Sequence, residues 1–265
     1  MRLRVLVDNN TYIDRYFLGE PALSFYIENK NDKILFDTGY SDAFIQNADK
    51  MNIDLTKVKK IVFSHGHSDH TGGLKFLIKK MDLKDTDVFA CDGCFDPKES
   101  DLGYIGSPVL LEDMKRICSL HMLKAPVEIS ENIMFLGRIP EYFAFEKRYC
   151  IGVKNNTERD FIFDDSALAC KTDEGIFIVT GCSHSGICNI IEHAVKVCGD
   201  ERIAGVIGGF HLFEENDRLF QTIEYFKSRK IKRLYPCHCV SFKAKCAVNS
   251  AFPVQEVGAG MDIEF

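Results

Sequence analysis

The sequence contains no uninterrupted apolar run of about 18 residues, which excludes a membrane-spanning helix of ordinary length. Its first residues, MRLRVLVDNN, turn polar too soon for the apolar centre of a secretory signal. It also lacks a basic block: 33 lysines and arginines are spread along the chain against 39 acidic residues, for a net charge of -6. No nucleic-acid footprint results. The 11 cysteines lack paired spacing, and a 265-residue chain has no need of staples. Reduced thiols in a cytoplasmic protein are the expectation. Internal repeats, low-complexity tracts and linkers are absent as well, so one domain over residues 1–265 is expected.

What is present is an alternation of short apolar strands and amphipathic helices, which indicates an α/β, layered fold. LRVLV, ALSFYIE and KILFDTG read as three early strands rich in branched and aromatic residues. A helix is expected from Ser41, as its cap, to Met51, followed by the strand KIVFS and the helix GLKFLIKKM. From about residue 82 to 129 the pattern loosens. CDGCFDPKESDLGYIGSP is rich in turn residues and long for a connection, so this stretch reads as an irregular insertion or lid, with a short helix from Val109 to Leu120. Strands are then expected in NIMFLGRIP, DFIFDDSALACKT and GIFIVTG. Next come a helix ending at Gly199, the strand IAGVIGG, the helix NDRLFQTIEYFKSR, the strand IKRLYPC and a last strand in the tail.

The densest chemistry lies in IVFSHGHSDHTGG, where His65, His67, Asp69 and His70 fall within six positions. Each such group must be solvated or hydrogen-bonded, and a metal accounts for all of them together. Imidazole and carboxylate are preferred ligands of zinc, iron and similar divalent ions. In an extended loop residues two apart face the same way. The loop can therefore hold two ions, with His65 and His67 on one and Asp69 and His70 on the other. Cys91 and Cys94 in CDGC have the spacing of a dithiol, but ordinary packing of small apolar thiols explains them as well. His121 and His193 lie in helical stretches without matching neighbours and read as surface or packing residues.

SHGHSDHTGG is similar to the His-x-His-x-Asp-His signature of the metallo-β-lactamase superfamily, and LFDTG resembles the family's Asp-containing turn that supports the metal loop. This resemblance implies a four-layer αββα sandwich with a metal site at one edge of the two sheets. It also implies more distant ligands. His184 in TGCSHSG and His238 in YPCHC each follow a strand and are the candidates. For the remaining carboxylate the preferred residue is Asp165 in FDDSA, with Asp164 or Cys182 as alternatives. Cys237 and Cys239 are expected to point away from His238. The motifs TGCSHSG, IGGFHL, YPCHC and GRIPEYFAFE resemble the subgroup that includes dihydropterin ribofuranosyl-aminobenzene phosphate synthases.

Two divalent ions, zinc first with iron and manganese suited to the same donors, would generate a metal-bound hydroxide at neutral pH. Asp69 would orient it. His211 in GGFHL would stabilise or protonate the developing oxyanion. The helix starting near Ser185 offers N–H groups on which a phosphate or carboxylate can rest, so a small anionic substrate is expected. The leading expectation is a hydrolase of an ester, lactone or phosphoester. The alternatives are a transferase condensing a pterin pyrophosphate with an aminobenzene ribofuranosyl phosphate, and a non-catalytic or redox iron-binding protein. No nucleic-acid or membrane partner is expected, and the sequence leaves the oligomeric state open.

Overall fold

The computed structural model describes residues 1–265. The first half of the chain supplies β1 (Arg2–Val7), β2 (Ser24–Asn29), β3 (Asp32–Phe36), α1 (Ala43–Lys50), β4 (Lys60–Val62), α2 (Ser68–Thr71), α3 (Leu74–Lys80), β5 (Asp87–Ala90), β6 (Lys98–Ser100), β7 (Gly103–Tyr104), α4 (Leu111–Ile117), β8 (Ser119–Met122) and β9 (Val127–Ser130). The second half supplies β10 (Ile133–Phe135), β11 (Gly152–Lys154), β12 (Glu158–Asp160), β13 (Ala167–Thr172), β14 (Gly175–Thr180), α5 (Ile187–Cys198), β15 (Ile203–Gly208), α6 (Asp217–Arg229), β16 (Leu234–Pro236), α7 (Phe242–Ala251) and β17 (Asp262–Glu264).

Two large sheets lie face to face. One has the order β17-β1-β2-β3-β4-β5-β8 and the other β16-β15-β14-β13-β10-β9. Strand periodicity explains why both faces of each sheet are apolar. Along β2, Phe25 and Ile27 enter the core between the sheets, while Tyr26 faces the helices outside. Along β14, Phe177 and Val179 point inward, and Ile176 and Ile178 point to the opposite helix layer. Phe44 of α1, Leu74 and Leu77 of α3 and Met114 of α4 cover the first sheet. Ile187 and Ile191 of α5, Leu219 and Phe226 of α6 and Val248 of α7 cover the second. The result is the expected αββα sandwich. No helix is long and apolar enough to cross a membrane.

Most of the expected elements are present, with informative exceptions. The cap of α1 falls at Asp42; Ser41 instead accepts a hydrogen bond from the Ala43 N–H at 3.1 Å. The stretch 82–129, expected to be irregular, carries β5 and β8, both parallel members of the first sheet. Its helix is shorter than expected, because residues 119–122 pair with β5 as a strand. Only residues 92–107 make an excursion, and these contribute β6 and β7 to a separate four-stranded sheet of order β12-β11-β6-β7. In DFIFDDSALACKT the strand begins only at Ala167, after a turn. Helix α7 was not anticipated, since only Ala244 and Val248 of FKAKCAVNSA are buried and no apolar stripe marks it.

The parallel strands decide where chemistry can occur. β3, β4 and β5 run parallel in one sheet, as do β14, β15 and β16 in the other. The loops leaving their carboxyl ends gather at one edge of the sandwich, the place where open α/β sheets bind ligands.

Candidate metal centre

Most of the candidate ligands at this edge follow one of those strands. Asp37 follows β3, His65 and His67 follow β4, Cys182 and His184 follow β14, His211 follows β15, and His238 follows β16. Backbone geometry is unusual here. Asp37, Ser183, His211 and His238 all have positive φ, between 50° and 59°. For residues with a Cβ this left-handed region is strained, and such strain concentrates at functional sites. At Gly181 any side chain is excluded, because a Cβ would stand 2.1 Å from Ser64 Oγ.

Six imidazoles form a continuous cluster. Ring centroids are 4.7 Å apart for His65 and His67, 4.2 Å for His65 and His70, 4.8 Å for His65 and His184, 4.9 Å for His70 and His238, and 4.4 Å for His184 and His211. Three sets of donors lie within 4.8 Å of one another: Asp69, His70, Cys182 and His238; His65, Cys182 and His184; and His65, His67 and Asp69. Cys182 belongs to two sets, with its Sγ 3.2 Å from His70 Nε2.

The far side of most rings is fixed by a neighbour. His65 Nδ1 meets Ser64 Oγ at 3.0 Å, His70 Nδ1 meets Asp37 Oδ2 at 2.7 Å, and His238 Nδ1 meets Asn9 Oδ1 at 2.9 Å. Asp37 also accepts from Ser64 N at 2.7 Å, so it ties the end of β3 to the metal loop as its LFDTG context implies. Such outer contacts fix the tautomer and aim the opposite nitrogen inward. On the inner side, His67 Nε2, both ring nitrogens of His184 and His238 Nε2 are buried without a hydrogen-bond partner. His238 Nε2 is 3.3 Å from Asp69 Oδ2, but without hydrogen-bond geometry. Native structures rarely leave buried nitrogens unsatisfied, so this set of lone pairs fits divalent cations.

The electrostatics agree. Burial, reinforced by neighbouring imidazoles, holds His65 and His184 well below the usual histidine pKa, so both stay neutral. Burial acts on His70 in the same direction, but Asp69 and Asp37 outweigh it and raise its pKa. Asp69 stays ionised, because His70 and His238 overcome its burial.

A family model described as Metallo-beta-lactamase superfamily matches residues 18–84. A Methanocaldococcus jannaschii protein named 7,8-dihydropterin-6-methyl-4-(beta-D-ribofuranosyl)-aminobenzene-5'-phosphate synthase is 30% identical over 286 residues, covering 100% of this chain and 97% of the relative. The chain belongs to the metallo-β-lactamase superfamily. An uncharacterized protein of the same organism is 34% identical over 245 residues, 91% of each chain. A solved structure described as a metal-dependent hydrolase of the beta-lactamase superfamily aligns with a TM-score of 0.85 and 29% identity, over 100% of this chain and 99% of that one.

Against this superfamily frame, the structure brings together His65, His67, Asp69, His70, His184 and His238, but not Asp165. The Asp165 carboxylate accepts from Ser185 N at 2.9 Å and from the Ser185 hydroxyl, and it lies in none of the donor sets. Its neighbour Asp164 accepts from Gly66 N at 2.8 Å and pairs with the buried Lys98. Asp164 braces the metal loop, whereas Asp165 uses only Oδ2 in this way and keeps Oδ1 buried without a partner. Cys182, one of the alternatives to Asp165, belongs to two of the donor sets.

Three further expectations change. The helix N-terminus beyond Ser185 is already filled, because Glu146 accepts from Cys188 N at 3.0 Å and from Asn189 N at 2.7 Å. Cys239 does not turn away. The left-handed φ of His238 breaks extended alternation, and Cys239 lines the cleft with its Sγ 3.4 Å from Cys182 O. Cys91 and Cys94 are buried in the apolar clusters of the sandwich, and burial pushes Cys91 up to about 12 and Cys94 well above its usual value. His121 lies in strand β8 and not in a helix, because residues 119–122 pair with β5, and it bonds Asp87 at 2.8 Å; His193, in α5 as expected, bonds Tyr142 and the Leu136 carbonyl.

Sequence reasoning missed Asn9, Asp8, Tyr149 and Glu146. Asp8 accepts from His238 N at 2.8 Å, and Tyr149 Oη meets His211 Nδ1 at 2.7 Å. The only available signal was GRIPEYFAFE, singled out as a motif without a role for its glutamate.

Proposed function

We propose that this chain is a metal-dependent hydrolase that cleaves an ester, lactone or phosphoester of a small molecule, with two divalent ions, zinc first. The observation that carries this reading is the set of buried, unpartnered imidazole nitrogens of His67, His184 and His238 beside an ionised Asp69. His65, His67 and His184 would hold one ion and Asp69, His70 and His238 the other, with Cys182 within reach of both. When bound, such ions lower the pKa of a shared water toward about 7 and polarise the oxygen of the scissile group.

The chain's own residues supply orientation and proton placement. Asp69 offers a carboxylate oxygen toward the reacting water. His211 lines the cleft, and burial, with help from Arg218, lowers its pKa to about 4, so its ring is neutral at pH 7. A Tyr149 hydroxyl donating to Nδ1 leaves the ring proton on Nε2, where it can donate to a negatively charged oxygen. Asp37, Ser64 and Asn9 keep the other rings from turning. All 11 cysteines are free, which favours a cytoplasmic setting.

The name of the 30% identical relative favours a second reading, a transferase in which an aminobenzene acceptor takes the place of water. Metal-replete protein supplied with a pterin pyrophosphate and an aminobenzene ribofuranosyl phosphate separates the two. Plain hydrolysis of this or a panel ester supports the hydrolase, and a condensation product supports the transferase. Iron in protein purified without added metal, with no turnover of either kind, overturns both in favour of a redox or binding role.

A further inference from the structure

The cleft that opens onto the histidines, about 560 Å³, has a mixed lining. Besides the donors, its lining includes Leu102, Ile105, Ile151 and Phe213, together with the ring of Tyr149. Leu102 and Ile105 belong to the excursion at residues 92–107, Tyr149 and Ile151 lead into β11, and Phe213 follows β15. The excursion is fastened to the metal loop, because the Ile105 carbonyl accepts from Ser68 N at 2.7 Å. Leu102, in the β6–β7 turn, is 93% exposed, and Phe213 is 45% exposed. Apolar surface held in water beside a reaction centre gains free energy when a ligand covers it.

Equally telling is the missing charge. No lysine or arginine lines the cleft. Arg218 is near enough to His211 to act on it electrostatically, but its Nε and Nη2 are enclosed without a partner and it does not reach the lining. The helix start that suggested an anionic substrate is occupied by Glu146. A phosphate tail would therefore meet no protein cation here.

We infer that the substrate is an uncharged carboxylic ester or lactone whose acyl chain or aromatic ring lies against Leu102, Ile151 and Phe213. This inference rests on the hydrolase reading above. In the reaction the acyl C–O bond breaks, water gives its OH to the acyl carbon and its remaining proton to the leaving oxygen, and a carboxylic acid and an alcohol result.

Two measurements test it. Metal-replete protein is assayed on p-nitrophenyl acetate, butyrate and octanoate, and on bis(p-nitrophenyl) phosphate. Binding of N-(4-nitrophenyl) amides of the same acids, which resist cleavage, is followed by calorimetry. Affinity for the amides should rise by roughly fourfold for each methylene that reaches the wall, as burial of a CH₂ predicts. The double variant Leu102→Ser/Ile151→Ser should flatten that dependence and leave the metal content at the wild-type level. Ester turnover that is indifferent to chain length, or a preference for the phosphodiester that Arg218→Ala abolishes, overturns the inference. Amide binding that depends on chain length, without turnover of any ester, upholds the wall and overturns only the hydrolase reading.

Discussion

His70 Nε2 lies 3.2 Å from Cys182 Sγ, although 112 positions separate them in sequence and they leave strands of different sheets. The contact places Cys182 in a donor group with Asp69, His70 and His238, while Asp165 lies in none of the donor groups.

The expected consequence is a split in metal content. Cys182→Ala should lower bound metal from about two equivalents toward one, and His67→Ala should remove most of it. Asp165→Asn should retain both ions. Elemental analysis of the three purified variants checks this; full metal in His67→Ala, or loss in Asp165→Asn beyond that in Cys182→Ala, would refute the assignment.

His211→Ala should keep the metal and slow turnover by at least about tenfold, the scale expected for loss of an oxyanion donor or proton donor. Tyr149→Phe removes only the hydroxyl that fixes the ring, so a smaller drop in kcat is expected with the same metal content. Equal turnover in wild type and His211→Ala would reduce the residue to packing.

Lys98 is fully enclosed between Asp160 and Asp164, at 2.9 and 3.0 Å. Removing one partner of a buried charge group costs about 3–5 kcal/mol, so Lys98→Met should lower the urea midpoint strongly. Burial opposes the charge, but Asp164 and Asp160 outweigh it and raise the lysine pKa above 10.5. A raised base stabilises fully below its unfolded pKa and loses that contribution as pH rises through the folded value. The wild type should therefore lose stability above about pH 10.5, and the variant should lack that step.

In metal-free protein the acid side is governed by imidazoles. His65 and His184 are held well below 6.5, and His211 at about 4, so the native state resists protons that the unfolded chain accepts. Depressed bases contribute stability above the unfolded pKa and lose it as pH falls. His70, whose pKa is raised, acts in the opposite sense, as do the buried carboxyls of Asp165, raised to about 6, and Glu146, but the lowered imidazoles, His67 among them, outnumber these three. After chelation, the urea midpoint should fall between pH 7.5 and pH 5. A flat or rising midpoint would show that the rings are not packed as described.

Much of the sandwich was legible because its strands carry apolar residues on both faces, so short dense runs such as GIFIVTG stand out between polar turns. The metal loop was legible because its ligands are consecutive. The place of Asp165 was less legible. An acidic pair in a turn looks the same in sequence whether it faces a cation or a backbone N–H, and here Ser185 and Gly66 claim the two carboxylates.

The sequence by itself determined the layered α/β class, the order of most strands and helices, and the cluster of His65, His67, Asp69 and His70, since these follow from periodicity and spacing along a few residues. Only the tertiary structure decided that Cys182 joins two of the three donor sets, that Glu146 occupies the start of α5, that Tyr149 holds His211, and that Leu102 and Ile151 line the cleft. Those relations join segments tens to hundreds of residues apart, and they exist only once the two sheets pack and bring their loops to one edge.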